Sequence, residues 1–157
     1  MKIEELSKGM KMKLYLATAL SHQAELLILD EPSSGLDPLI RQELLDILLD
    51  YIGDGKKSVL MSSHITSDFE KIADYLIMIN KGEVLLEGVK DEILEDFGLA
   101  KVAEKDLETI DKKDIKDLRD TGYGYEALIV NRDKYENLLV DKATLDDIII
   151  GLSRGRK

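Results

Sequence analysis

The sequence predicts an α/β fold followed by a small α+β appendage, and three observations predict it. Leu26-Leu27-Ile28-Leu29 and Ser58-Val59-Leu60-Met61-Ser62 are short apolar runs of strand length. Such runs suit strands buried on both faces of a parallel sheet. Between them Leu39 to Ile52 is a strongly apolar segment opened by Pro38 and closed before Gly53, which reads as a helix. Further on, Tyr75 to Ile79 and Glu83 to Leu86 flank Asn80-Lys81-Gly82 and read as a hairpin. Strand, helix, strand, helix and hairpin is an α/β succession.

The remaining elements follow from the same rules. Ser7 caps a helix running to about His22, its apolar face built from Met10, Leu14, Ala17 and Leu20 or their neighbours. Thr66 to Ala73 is the helix before the hairpin, and Asp91 to Phe97 is helical. Beyond about residue 97 the pattern is less regular. It gives a strand over Glu126 to Val130, helices over Asn131 to Leu138 and Thr144 to Leu152, and a short strand near Leu139-Val140. The polar stretch from Lys90 to Asp120 reads as a boundary followed by solvated helix or loop. The expected domains are therefore residues 1–97 and 98–157.

Composition narrows the function classes. Of 157 residues, 44% are apolar, enough for a packed core. Lys and Arg number 22 against 32 Asp and Glu, a net charge of −10, which excludes a nucleic-acid role held by phosphate contacts. The absence of cysteine excludes disulfide scaffolds and thiolate metal sites. No apolar run approaches the roughly 20 residues of a membrane span. The start Met1-Lys2-Ile3-Glu4-Glu5 has no secretion-signal character, so a soluble, cytoplasmic protein is expected.

Chemistry concentrates where the first strand ends. Asp30 and Glu31 close it at its carboxyl end, where open α/β sheets bind ligands. Alternation along the strand points the two carboxylates in different directions. One suits a hydrated Mg²⁺, and the other can orient or deprotonate an attacking water. The plain alternative is a turn that begins with acidic residues. Ser33-Ser34-Gly35-Leu36-Asp37-Pro38 follows at once, and Ser62-Ser63-His64 closes the next strand. A parallel pairing puts His64 at the same sheet edge, able to bond a terminal phosphate or the attacking water; alone, a His there is more often a structural hydrogen-bonder. Leu6-Ser7-Lys8-Gly9-Met10 opens a helix, whose free N–H groups and partial positive charge favour phosphate. Gly9 admits close backbone approach, and the Ser7 hydroxyl either donates to a phosphate oxygen or is an N-cap.

Taken in order, Leu6 to Met10, Leu26 to Glu31, Ser34 to Asp37 and His64 resemble the signature motif, Walker B motif, D-loop and switch histidine of an ABC ATPase, over residues 1 to about 88. The signature departs from Leu-Ser-Gly-Gly-Gln at Lys8 and Met10 and keeps Ser7 and Gly9. Ala143 to Ile149 is similar to the end of ATP-binding subunits from bacterial antibiotic- and drug-export systems. The resemblance implies that Asp30 holds Mg²⁺, Glu31 is the general base and His64 contacts the γ-phosphate. It implies that Asp37 bridges to a partner subunit, and that Ser7 and Gly9 close over an ATP held by that partner. ATP and Mg²⁺ are then the cofactors. The partners are a second ABC ATPase subunit, in a head-to-tail dimer, and a transmembrane permease. The implied location is the inner face of the cell membrane, with hydrolysis coupled to export. A non-transport ABC ATPase, or in isolation a dimerisation or regulatory module, is the alternative.

A P-loop needs Gly-x-x-x-x-Gly-Lys-[Ser/Thr] between a strand and a helix, and the sequence holds none. Gly53-Asp54-Gly55-Lys56-Lys57-Ser58 lacks the spacing, and Thr121-Gly122-Tyr123-Gly124-Tyr125 precedes its strand. In ABC ATPases the P-loop lies upstream of the signature. The expectation is thus a truncated P-loop NTPase sheet with flanking helices: a fragment lacking the Walker A half and inactive alone.

Overall fold

The computed structural model describes residues 2–22 and 24–155. The chain divides into two compact units, Met1–Ile72 and Ala73–Lys157. Among the described residues no helix is long and apolar enough to cross a membrane.

The first unit runs α1 (Lys8–Leu20), β1 (Leu26–Asp30), α2 (Pro38–Ile52), β2 (Ser58–Ser62) and α3 (Thr66–Ile72). The strands β1 and β2 pair in parallel, from Leu26 opposite Ser58 to Asp30 opposite Ser62. Leu16 of α1, Leu27 of β1 and Leu44, Leu48 and Tyr51 of α2 form the core, and the Tyr51 hydroxyl donates to the Ala24 carbonyl.

Two expectations about this unit need correction. The strands are not buried on both faces: Leu27 is 5% exposed, but Leu26 is 51%, Ile28 71% and Leu60 56%. Helices cover one face of a two-stranded sheet, so alternate side chains stay open. In α1 the buried stripe is Leu16 with Met12, Ala19 and Leu20, while Met10, Leu14 and Ala17 are exposed. From Leu14 to Leu20 this helix is apolar at every position but Thr18, so periodicity cannot choose a face there, and packing on α2 chooses it instead.

The second unit opens with an antiparallel hairpin, β3 (Tyr75–Asn80) and β4 (Glu83–Val89). Lys81 (φ 51) and Gly82 (φ 82) both lie in the left-handed region, as a two-residue primed turn demands. There follow α4 (Lys90–Asp96), β5 (Gly98–Val102), α5 (Glu104–Leu107), β6 (Ile115–Asp120), β7 (Tyr125–Ile129), β8 (Val140–Lys142) and α6 (Leu145–Arg154). Strands β5 to β8 form one antiparallel sheet, ordered β6-β7-β5-β8. Its core holds Ala100, Val102, Ile110, Ala127, Ile129 and Tyr135. Thr144 caps α6 and exchanges hydrogen bonds with Asp147 in a capping box. Gly151 lets α6 lie flat on β7, since a Cβ there would sit 2.4 Å from Leu128 Cδ2.

Here the polar stretch misleads. It contains β5, α5 and β6 rather than only solvated helix or loop. Strand β6 is a polar edge strand, held by its ladder to β7 and not by an apolar alternation. Asn131 to Leu138 is not a helix but a 3₁₀ turn at Arg132–Tyr135. Asn131 takes φ 56 and donates its N–H to Asp96, which bars a helical start.

That turn closes around a buried carboxylate. Asp114 accepts from the Tyr135 hydroxyl at 2.7 Å, Asn131 Nδ2 at 2.9 Å and Lys134 Nζ at 3.3 Å. The Tyr135 bond first, then those from Lys134 and Asn131, hold its carboxyl below the ordinary value of 3.8, against the effect of burial. A carboxyl depressed by folding contributes stability that is full above its unfolded value and is lost as pH falls through the folded one. Tyr135→Phe removes the largest cause. The stability gap between wild type and Tyr135→Phe, measured by urea unfolding, is therefore expected to be full at neutral pH and to narrow as pH falls below 3.8. A gap that stays constant down to the acid limit would refute this.

Candidate functional site

The parallel register sets Asp30 directly opposite Ser62, so the ends of β1 and β2 meet at one edge. Ser62 Oγ donates to Asp30 Oδ1 at 2.5 Å and accepts from the Glu31 N–H at 3.0 Å. Glu31 takes φ 47, a left-handed conformation that costs a side-chain-bearing residue about 1–3 kcal/mol. The Ser62 bond and a closing bond from the Ser34 N–H to the Glu31 carbonyl (3.1 Å) support it. The outcome is a carboxylate aimed at the next loop: His64 Nδ1 lies 2.7 Å from Glu31 Oε2. An ionised carboxylate only accepts, so Nδ1 carries the proton in this pair. Both side chains are open to solvent, 39% for Glu31 and 68% for His64.

The other candidate residues stand at helix starts. Ser7 Oγ caps α1 by accepting from the Met10 N–H at 3.2 Å. Asp37 Oδ1 caps α2 by accepting from Leu39 and Ile40 at 3.1 and 3.0 Å, with Pro38 at the first helical position. Gly9 brings the start of α1 against α2, since a Cβ there would lie 3.2 Å from Ile40 Cγ2. The Lys8 ammonium lies over Gly35, in the turn between Glu31 and Asp37. Thus Asp30, Glu31 and His64 share one hydrogen-bonded cluster, while Ser7, Gly9 and Asp37 lie where α1 and α2 begin.

Two residues of the cluster's framework escape sequence reasoning. Ser62 looks like the last residue of a strand, and only the register shows that it ties Asp30 to Glu31. Asp68 lies in a short polar helix and looks solvated, yet it is fully buried against Ser33 and Arg41. Among the described residues no three His, Asp or Glu side chains converge on a position that could hold a metal ion by themselves.

The chain is similar to known proteins. A family model described as "AAA domain, putative AbiEii toxin, Type IV TA system" matches residues 1–67. The chain is 36% identical over 136 residues to the uncharacterized ABC transporter ATP-binding protein YhaQ of Bacillus subtilis, covering 84% of this chain and 45% of that one. It is 41% identical over 97 residues to the lantibiotic transport ATP-binding protein SrtF of Streptococcus pyogenes, covering 60% and 42%. The solved ATP binding subunit of an ABC transporter superposes with a TM-score of 0.52 at 32% identity, over 59% of this chain and 38% of that one. A second solved ABC transporter, in an inward-facing conformation, shares the fold with a TM-score of 0.54 at 19% identity, over 82% and 49%. Over most of its length this chain is homologous to ABC transporter ATP-binding proteins, and its mixed α/β fold resembles theirs. It spans less than half the length of the curated relatives named here.

Proposed function

We propose that this ATP-binding-protein homologue is the catalytic-side portion of an ATP-hydrolysing ABC transporter subunit. Residues 1–97 are assigned to the ATPase domain and 98–157 to a C-terminal appendage. The observation that carries the reading is the 2.7 Å hydrogen bond between Glu31 and His64, beside Asp30 at the carboxyl end of β1. In this reading Glu31 orients the attacking water and takes its proton. His64, fixed through Nδ1, presents Nε2 to the γ-phosphate, and as an imidazolium it donates from both nitrogens. Asp30 is exposed, and Mg²⁺ takes only one or two carboxylates while keeping several waters, so a lone carboxylate fits the ion. Mg²⁺ bound there supplies charge neutralisation to the phosphates. Ser7 and Gly9 offer a hydroxyl and the free N–H groups of α1 to an ATP held by a second ABC ATPase subunit. Asp37 faces that subunit across a head-to-tail dimer, and a transmembrane permease at the inner face of the cell membrane receives the work. The transport relatives support the permease assignment.

The 157 residues contain no Walker A turn, so the main phosphate cradle must come from sequence outside them. Isothermal titration is expected to show no micromolar MgATP binding by these residues alone. Joining a Walker A-bearing segment ahead of them should restore it. Micromolar binding without that segment would overturn the reading.

A further inference from the structure

Asp68 is the fully buried charge of the first unit, and its partners come from the segments that carry the candidate residues. Its Oδ2 accepts from Ser33 Oγ at 2.6 Å and its Oδ1 from Arg41 Nε at 2.5 Å. Arg41 also donates through Nη2 to Ser67 Oγ. Ser33 is itself buried and follows Glu31 by two residues; Arg41 follows Asp37 by one turn of α2; Asp68 follows His64 by one turn's length. A carboxylate this deep persists only when donors satisfy it, so the three segments are held to a common point from the inside. Ser62 performs the complementary task at the solvent side.

We propose that Asp68 is the positioning residue of the Glu31–His64 pair: by gripping Ser33 and Arg41 it sets the distance between the two turns whose side chains meet at the sheet edge. The proposal rests on the functional reading above for its meaning, but its test needs no nucleotide. In the neutral imidazole, donation from Nδ1 to Glu31 requires the Nδ1–H tautomer, the less favoured form of a free ring, and long-range ¹H–¹⁵N correlation spectra recorded at a pH where the ring is neutral report it directly. On the intact 157-residue chain, wild type is expected to show His64 chiefly as Nδ1–H and to give a protected Arg41 Nε–H signal. Asp68→Asn keeps the size and removes the charge. It is expected to lose both signatures, with the Nε2–H form becoming the major one while the amide spectrum stays dispersed. Glu31→Gln, which leaves Asp68 in place, is expected to change the tautomer and spare the Arg41 signal.

Retention of the Nδ1–H tautomer in a folded Asp68→Asn protein overturns the proposal, as does its absence from wild type. Should Asp68→Asn not fold, Ser33→Ala decides in the same way, since it removes a single hydroxyl from the grip on the Glu31 turn. Failure of the joined, Walker A-bearing protein to hydrolyse ATP would refute the functional reading and leave the tautomer result standing.

Discussion

Joined behind a Walker A-bearing segment, the chain is expected to hydrolyse MgATP, and Glu31→Gln is expected to lower kcat by about 10²–10⁴-fold. The substitution keeps the length and shape of the side chain and removes its negative charge, and with it both the capacity to take a proton and the anionic partner of His64 Nδ1. The Ser62 bond to the residue 31 N–H is made by the backbone and survives the change. Asp30 keeps its own bond to Ser62, so the exposed carboxylate assigned to Mg²⁺ is undisturbed. The KM for MgATP is therefore expected to stay near wild type while kcat falls, the pattern of an interaction made in the transition state alone. Steady-state phosphate release across MgATP concentrations separates the two parameters. Undiminished kcat in Glu31→Gln would remove Glu31 from the chemistry and with it the proposed function.

The ease with which this site can be read from sequence differs sharply among its parts. The clustering of Asp30, Glu31 and His64 is legible because each lies within three residues of the end of a short apolar run, and parallel pairing brings such ends to one edge. The cap at Ser7 is legible because capping is local, a bond spanning three residues. Asp68 is not, since its burial depends on Arg41 arriving from 27 positions away. Strand β6 is illegible for a related reason. Ile115-Lys116-Asp117-Leu118-Arg119-Asp120 carries little apolar signal, and only β7 beside it supplies its partner. The expectation that β1 is covered on both faces fails because a continuous apolar run encodes capacity for burial on two sides, and the described residues provide a layer on one.

This one-sided sheet makes a sharp stability contrast testable. Leu48→Ala is expected to cost about 2–5 kcal/mol, whereas Ile28→Thr is expected to stay within about 0.5 kcal/mol. Leu48 is 1% exposed and packs with Leu16, Leu27, Leu44 and Tyr51, so truncation removes buried methyl groups and leaves a cavity lined by three elements. A loss of that size is a large share of the roughly 5–15 kcal/mol that holds an ordinary domain together. Ile28 sits one residue beyond Leu27 on the same strand, yet it is 71% exposed and buries little to lose. Threonine keeps the β-branched shape there, so strand propensity is preserved and only burial is tested. Urea unfolding followed by circular dichroism gives both values on the 157-residue chain. Comparable losses at the two positions would mean that the second face of β1 is covered in solution. A large loss at Leu48 with almost none at Ile28 means that helices pack on one face of β1 and the other stands open.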